Sequence, residues 1–270
     1  MSQRGFTLIE MSLVMVIVGL MVGGGLLALA PVIDKTRVNQ TNATLDQVEN
    51  ALELFVIRNQ RLPCPADGKL ANTDPNYGFE LPAGGNVCST TPLANAVIPW
   101  RTLGMQEAYS VDGWGNRLSY FTSGMFGGFV STTKNNGVNR PAFAYPTGPF
   151  MTVTDAASGQ TVTPSATDTD SSKDDQAAYV LISHGKSGWY GWKLSTSTQA
   201  PHPSLPPASL TLAKKTCNSA PDTCGNTFYS GSQIGTLPPQ NNNYFDDIVR
   251  WRSPAFLIQL CGAGSCGNPS

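Results

Sequence analysis

The chain has 270 residues, with 17 Lys+Arg against 18 Asp+Glu, a formal charge of −1 and only 13% charged residues. Without a basic run, this composition gives no support to nucleic-acid binding. The 27 glycines and 20 prolines speak for a turn-rich, strand-rich body rather than a helical one, and about 210 residues follow residue 60, enough for one large domain or a domain with long insertions.

The first element is apolar. From Phe6 to Ala30 there are 25 residues with one charge, Glu10. As a helix this run is roughly 37 Å long, enough to cross a hydrocarbon layer about 30 Å thick. Arg4 in front of it belongs on the cytoplasmic side. A cleavable secretory signal is the alternative, but its apolar region is 7–15 residues long and carries no charge such as Glu10. A carboxylate in such a segment is costly and marks a functional position by default. Gly19-Leu-Met-Val-Gly23 reads either as a close-packing G-x-x-x-G or as chance in a Gly-rich helix. Gly23–Gly25 weaken the helix, and Pro31 removes one of its hydrogen bonds, so a kink is expected there and stretching near the glycines is expected inside an assembly.

Arg4-Gly5-Phe6-Thr7-Leu8-Ile9-Glu10 resembles the processing site of type IV prepilins and type II secretion pseudopilins. In that family a short basic leader ends in Gly, a prepilin peptidase cuts after it, the new N-terminal residue (usually Phe) is N-methylated, and the fifth mature residue is Glu. Gly5, Phe6 and Glu10 match these positions. The resemblance implies that the carboxylate of Glu10 pairs with the N-terminal amine of a neighbouring subunit, since a buried carboxylate needs a cation. It further implies other pilin subunits and an inner-membrane assembly platform as partners, and residence in the bacterial inner membrane and then in a filament.

Residues 32–60 read as an amphipathic continuation of the helix. Val38, Leu45, Val48, Leu52 and Phe55 recur at near-helical spacing among polar positions, and Arg61-Leu-Pro-Cys-Pro65 stops it. Asn42-Ala-Thr44 matches a glycosylation acceptor and is read as chance. Residues 61–116 are rich in Pro and Gly. Strands are expected at Arg117–Thr122, Ala142–Tyr145, Met151–Thr154 and Ala177–Ser183, with His184–Gly188 turning the last one and Trp189–Leu194 returning antiparallel to it. Residues 155–175 and 195–243 read as long excursions, and Phe256–Leu260 as a final strand or short helix. The expected fold class is therefore α+β. The domain organisation is a leader at 1–5, an assembly helix at 6–31, an amphipathic helix at 32–60 and a β-rich body at 61–270. A long helix packed on an antiparallel sheet with large loops is the pilin fold that the resemblance implies.

Two later stretches add to the resemblance. Val111-Asp-Gly-Trp-Gly-Asn-Arg-Leu-Ser-Tyr120 is similar to the Asp-Pro-Trp-Gly-Asn…Tyr stretch of major pseudopilins, with Gly113 in place of the Pro. Tyr179–Gly185, with Asp246, Asp247 and Trp251 further on, is similar to their strand and acidic loop. That loop binds calcium in major pseudopilins, so Asp246 and Asp247 are candidate calcium ligands, with capping or turn roles as the alternative.

The six cysteines Cys64, Cys88, Cys217, Cys224, Cys261 and Cys266 all follow the membrane segment and read as disulfides of an oxidising compartment. Fifteen pairings are open; proximity favours Cys64–Cys88, Cys217–Cys224 and Cys261–Cys266. Zinc is disfavoured by the spacing and by the isolation of His184 and His202.

Ser183-His184 is not expected to form a nucleophile–base pair, because neighbours on a strand point to opposite faces. His184 reads as a turn histidine, and no catalytic residue is expected. The expected function is a structural filament subunit, of a type IV pilus or of a type II secretion pseudopilus. The alternatives of other classes are a membrane-anchored adhesin that does not polymerise and a secreted hydrolase with an uncleaved anchor.

Overall fold

A computed structural model describes residues 7–59, 61–81, 88, 95–122, 132–134, 141–143, 151–163, 177–194, 198, 227–232, 245–253, 256–257 and 260. Gly5, Phe6, Cys217, Cys224, Cys261 and Cys266 lie outside the described residues.

One helix, α1 (Leu8–Asn59), runs 52 residues with Pro31 inside it, about 78 Å at 1.5 Å per residue. Helical conformation continues through Pro31 and through Gly23–Gly25, since proline removes a single N–H and leaves the neighbouring helical bonds in place. The stretching expected at those glycines concerns an assembly rather than the single chain.

The strands are β1 (Ala66–Asp67), β2 (Ala96–Val97), β3 (Asn116–Arg117), β4 (Ser119–Thr122), β5 (Thr132–Lys134), β6 (Pro141–Phe143), β7 (Thr152–Asp155), β8 (Tyr179–Ser183), β9 (Trp192–Lys193), β10 (Thr227–Ser230) and β11 (Ile248–Arg252). Five of them form the main sheet in the order β1-β2-β4-β8-β11, with every pairing antiparallel. β4 and β11 flank β8 with Tyr120 opposite Leu181 and Val249 opposite Ile182. The architecture is thus mixed helix and antiparallel sheet, α+β.

The period-2 alternation of strands divides the core into two layers. Tyr120, Tyr179 and Leu181 face the helix and pack with Leu45, Val48, Leu52 and Val56. Phe121, Val180 and Ile182 face the other way and pack with Met151, Val153, Phe228 and the Cys64–Cys88 disulfide. β8 is covered on both faces, which is why Ala177–Ile182 is a continuous apolar run. The second covering layer is the parallel pair β7–β10.

Three expectations about connectivity need correction. Trp189–Leu194 does not return along β8; β9 pairs with β3 instead. The turn at His184–Gly191, closed by Gly188 N–H to His184 O and Gly191 N–H to Gly188 O at 2.9 and 3.0 Å, swings the chain off the sheet, and Tyr190 takes a left-handed φ of 62° within it. The place beside β8 is taken by β11, which follows the two aspartates read as part of an acidic loop. Within the stretch read as an excursion, Thr227–Ser230 forms β10. Phe256 and Leu257 are helical, the second of the two readings given for Phe256–Leu260.

Candidate functional site

The first turn of α1 is built around Glu10. Its carboxylate accepts the Thr7 backbone N–H and hydroxyl at 2.8 and 2.9 Å, while the Thr7 hydroxyl oxygen accepts the Glu10 N–H at 3.3 Å. This is a capping box: Thr7 is the residue before the helix, Glu10 is the third in it, and the two satisfy each other's otherwise orphaned donors. The pattern Thr-x-x-Glu is legible in the sequence, but the family motif drew attention to Glu10 alone. In the single chain, Glu10 therefore caps its own helix.

From Leu8 to Met21 every side chain is exposed, including Leu8 at 92%, Leu20 at 72% and Met21 at 72%. Among the described residues no helix is long and apolar enough to cross a membrane. In the sequence the apolar run goes on past Met21 to Ala30. Burial begins at Thr41. α1 thus has two parts, a naked apolar half and a half that forms one wall of the core.

The body holds the helix through polar clasps. Gly113 N–H donates to the Thr41 hydroxyl at 2.9 Å, and that hydroxyl donates to Arg37 O at 2.9 Å. A Cβ on Gly113 would stand 2.4 Å from Arg37 O, so the loop rides directly on helix backbone. Position 113 therefore needs a residue with an N–H and without a Cβ, which proline is not. A second clasp ties β11 to α1. Arg250 donates to Asp46, to Glu49 at 3.1 Å and to Asn42 at 3.1 Å, and Arg252 donates to Glu49 at 3.0 Å. Arg250 and Arg252 share a strand face, as i and i+2 must, and Asn42, Asp46 and Glu49 share a helix face. Beyond the helix end, Arg61 grips buried Glu80 with two bonds of 2.7 and 2.6 Å, and Glu80 also accepts Cys64 N–H at 2.9 Å.

Ser183 and His184 do not pair with each other; each bonds across the fold. Ser183 Oγ donates to Asp112 at 2.8 Å, and His184 Nε2 shares a hydrogen bond with Ser119 Oγ at 2.9 Å. His184 opens the turn, its backbone O accepting the Gly188 N–H, and the residue is fully buried. Burial pushes its imidazole down to about 4, against a raising hydrogen bond with the Trp189 backbone, so it is neutral near pH 7. Asp112 also accepts the backbone N–H groups of Trp114 and Asn116, both at 2.9 Å. Burial raises its carboxyl above the ordinary range and the hydrogen bonds oppose that. These groups order the loop that carries Gly113.

Asp246 sits at the turn after β8 and accepts the Ser187 N–H and hydroxyl at 2.7 and 2.8 Å. Both carboxylate oxygens are thereby engaged. Among the described residues no group of three or more His, Cys, Asp or Glu side chains is placed to hold a metal ion.

Residues 1–26 match the prokaryotic N-terminal methylation motif, the signature of type IV pilins and pseudopilins. The signature supports a pilin-like precursor, a class of structural proteins processed by prepilin peptidase and assembled with other pilin subunits. No curated protein and no solved structure matches the chain.

Proposed function

We propose that this chain is a filament subunit, held in the inner membrane by its apolar helix, cut after Gly5, methylated at Phe6 and polymerised through α1. The observation that supports it is the continuity of the methylation motif with a helix whose first half, Leu8–Met21, exposes its apolar side chains while the second half forms the core of a folded body. Apolar surface of that extent is covered by lipid before assembly and by neighbouring helices after it. Glu10 sets the axial register by exchanging its own cap for the amine of an adjacent subunit. The test is the intact mass of the mature protein: loss of Met1–Gly5 plus one methyl group is expected, and an uncut chain overturns the reading.

Register is tested separately. Glu10→Ala inserts in the membrane and incorporates poorly into filaments; normal incorporation removes the register role. Sheared surface fractions then separate a type IV pilus from a periplasmic pseudopilus. Calcium at Asp246 would need further oxygens from outside the described residues, and an unchanged melting temperature in EGTA dismisses it.

A further inference from the structure

We infer that the face of α1 turned away from the body is an assembly seam, which carries helix–helix packing between copies of this chain up to the height of Leu54. This rests on the filament reading of α1 and its Glu10 register. In the body half the core takes one side of the helix, through Leu45, Val48, Leu52 and Val56. The opposite side is open: Thr36, Gln40, Ala43, Gln47, Asn50 and Leu54 are all exposed. They recur at alternating steps of four and three residues. That is the 3.5-residue period with which two helices keep one seam in contact while crossing at about 20°. Counted back from Thr36, the same alternation runs through Ile33, Gly19 and Ser12 to Leu8. The seam is therefore continuous with the naked apolar half.

No charged residue of α1 falls on this seam. The acids of the body half lie off it, towards the body: Asp34 pairs with Lys186, Asp46 and Glu49 pair with Arg250, and Glu53 feels the charge of Arg252. Lys35 and Arg37 flank its lower end, and Arg58 lies beyond Leu54. A solvated helix face ordinarily carries ion pairs at i, i+4. This one carries amides at Gln40, Gln47 and Asn50 and a leucine that is 54% exposed. Amides both donate and accept, so they satisfy one another across a helix pair with no charge to desolvate. Ala43 lets two backbones approach closely, and the Thr36 hydroxyl is already bonded to Val32 O at 2.9 Å. The register of Glu10 against a neighbour's Phe6 shifts adjacent copies by about four residues, or roughly 6 Å. The body half of one helix thus meets the body half of the next, and the polar seam residues fix that alignment.

The test places a photoreactive diazirine side chain at Gln47 in the full chain and irradiates filaments sedimented from the producing cells. Trypsin cuts after Arg37 and Arg58 and nowhere between, so the expected product is peptide 38–58 joined to peptide 38–58 of a second copy. A cross-link to residues 61–270 of a second copy, or none between copies, overturns the seam. A second variant reads the effect of charge. Q40E/Q47E keeps good helix formers on an exposed face, so the melting temperature of the detergent-solubilised chain stays unchanged. Its incorporation into filaments falls by about tenfold or more, because carboxylates enter a dry seam. Incorporation equal to that of the unaltered chain overturns the seam. Absence of any sedimenting polymer of the unaltered chain instead overturns the filament reading on which the seam depends.

Discussion

The amide of Gly113 donates a 2.9 Å hydrogen bond to the hydroxyl of Thr41, 72 residues away in sequence and fully buried on α1. With Arg37 O accepting from the same hydroxyl, this contact sets how closely the body approaches the helix. Gly113→Ala should lower stability by about 1–3 kcal/mol, because the new methyl meets helix backbone that cannot give way. Thr41→Val keeps the shape and removes the acceptor, at a cost of about 1–3 kcal/mol for the stranded amide. Urea denaturation of both variants checks this, and a Gly113→Ala protein as stable as the original would show that the loop does not ride on the helix.

The β11 clasp should be asymmetric. Glu49 is 4% exposed and receives both arginines, whereas the Asp46 side chain is 63% exposed. Removing one partner of a buried ion pair costs about 3–5 kcal/mol, while exposed pairs contribute about 0–1 kcal/mol. Glu49→Ala should therefore melt far below Asp46→Ala. Equal losses would mean that the buried carboxylate is not the anchor.

Acid should destabilise the body through His184. Its folded value of about 4 lies below the ordinary 6.5, so the unfolded chain binds the extra proton and stability falls as pH drops from about 6.5 towards 4, by at most about 1.4 kcal/mol per pH unit. His184→Gln, which retains a hydrogen-bonding side chain towards Ser119, should flatten the stability curve across that window. A slope unchanged in this variant would assign the acid sensitivity elsewhere.

The Cys64–Cys88 bridge closes a loop of 24 residues and lies in the second core layer. Replacing both cysteines with serine should cost about 3 kcal/mol from loop entropy. The double variant should melt lower than the oxidised protein and respond less to dithiothreitol. Identical melting of the oxidised protein and the variant would remove the bridge from the stabilising contacts.

Where the sequence was hard to read, the reason is spatial distance. β11 is not legible locally, because Arg250 and Arg252 interrupt its apolar pattern; those arginines face a helix about 200 residues earlier that supplies their acids. Nothing in the residues around Thr41 marks it as the acceptor for an amide 72 residues away. His184 and Ser119 are 65 residues apart, and nothing local to either predicts a buried bond.

What the sequence by itself determined is what depends on local chemistry: the processing motif around Gly5, Phe6 and Glu10, the long apolar helix, its amphipathic half, its end before Pro63, and the strand at β8. Periodicity and capping act over a few residues and leave a readable trace. Only the tertiary structure decided that β8 lies between β4 and β11, that β9 joins β3, and that Asp246 holds a turn. Each of these depends on which surfaces meet across long stretches of chain, and the free energy of such contacts belongs to the pair rather than to either segment.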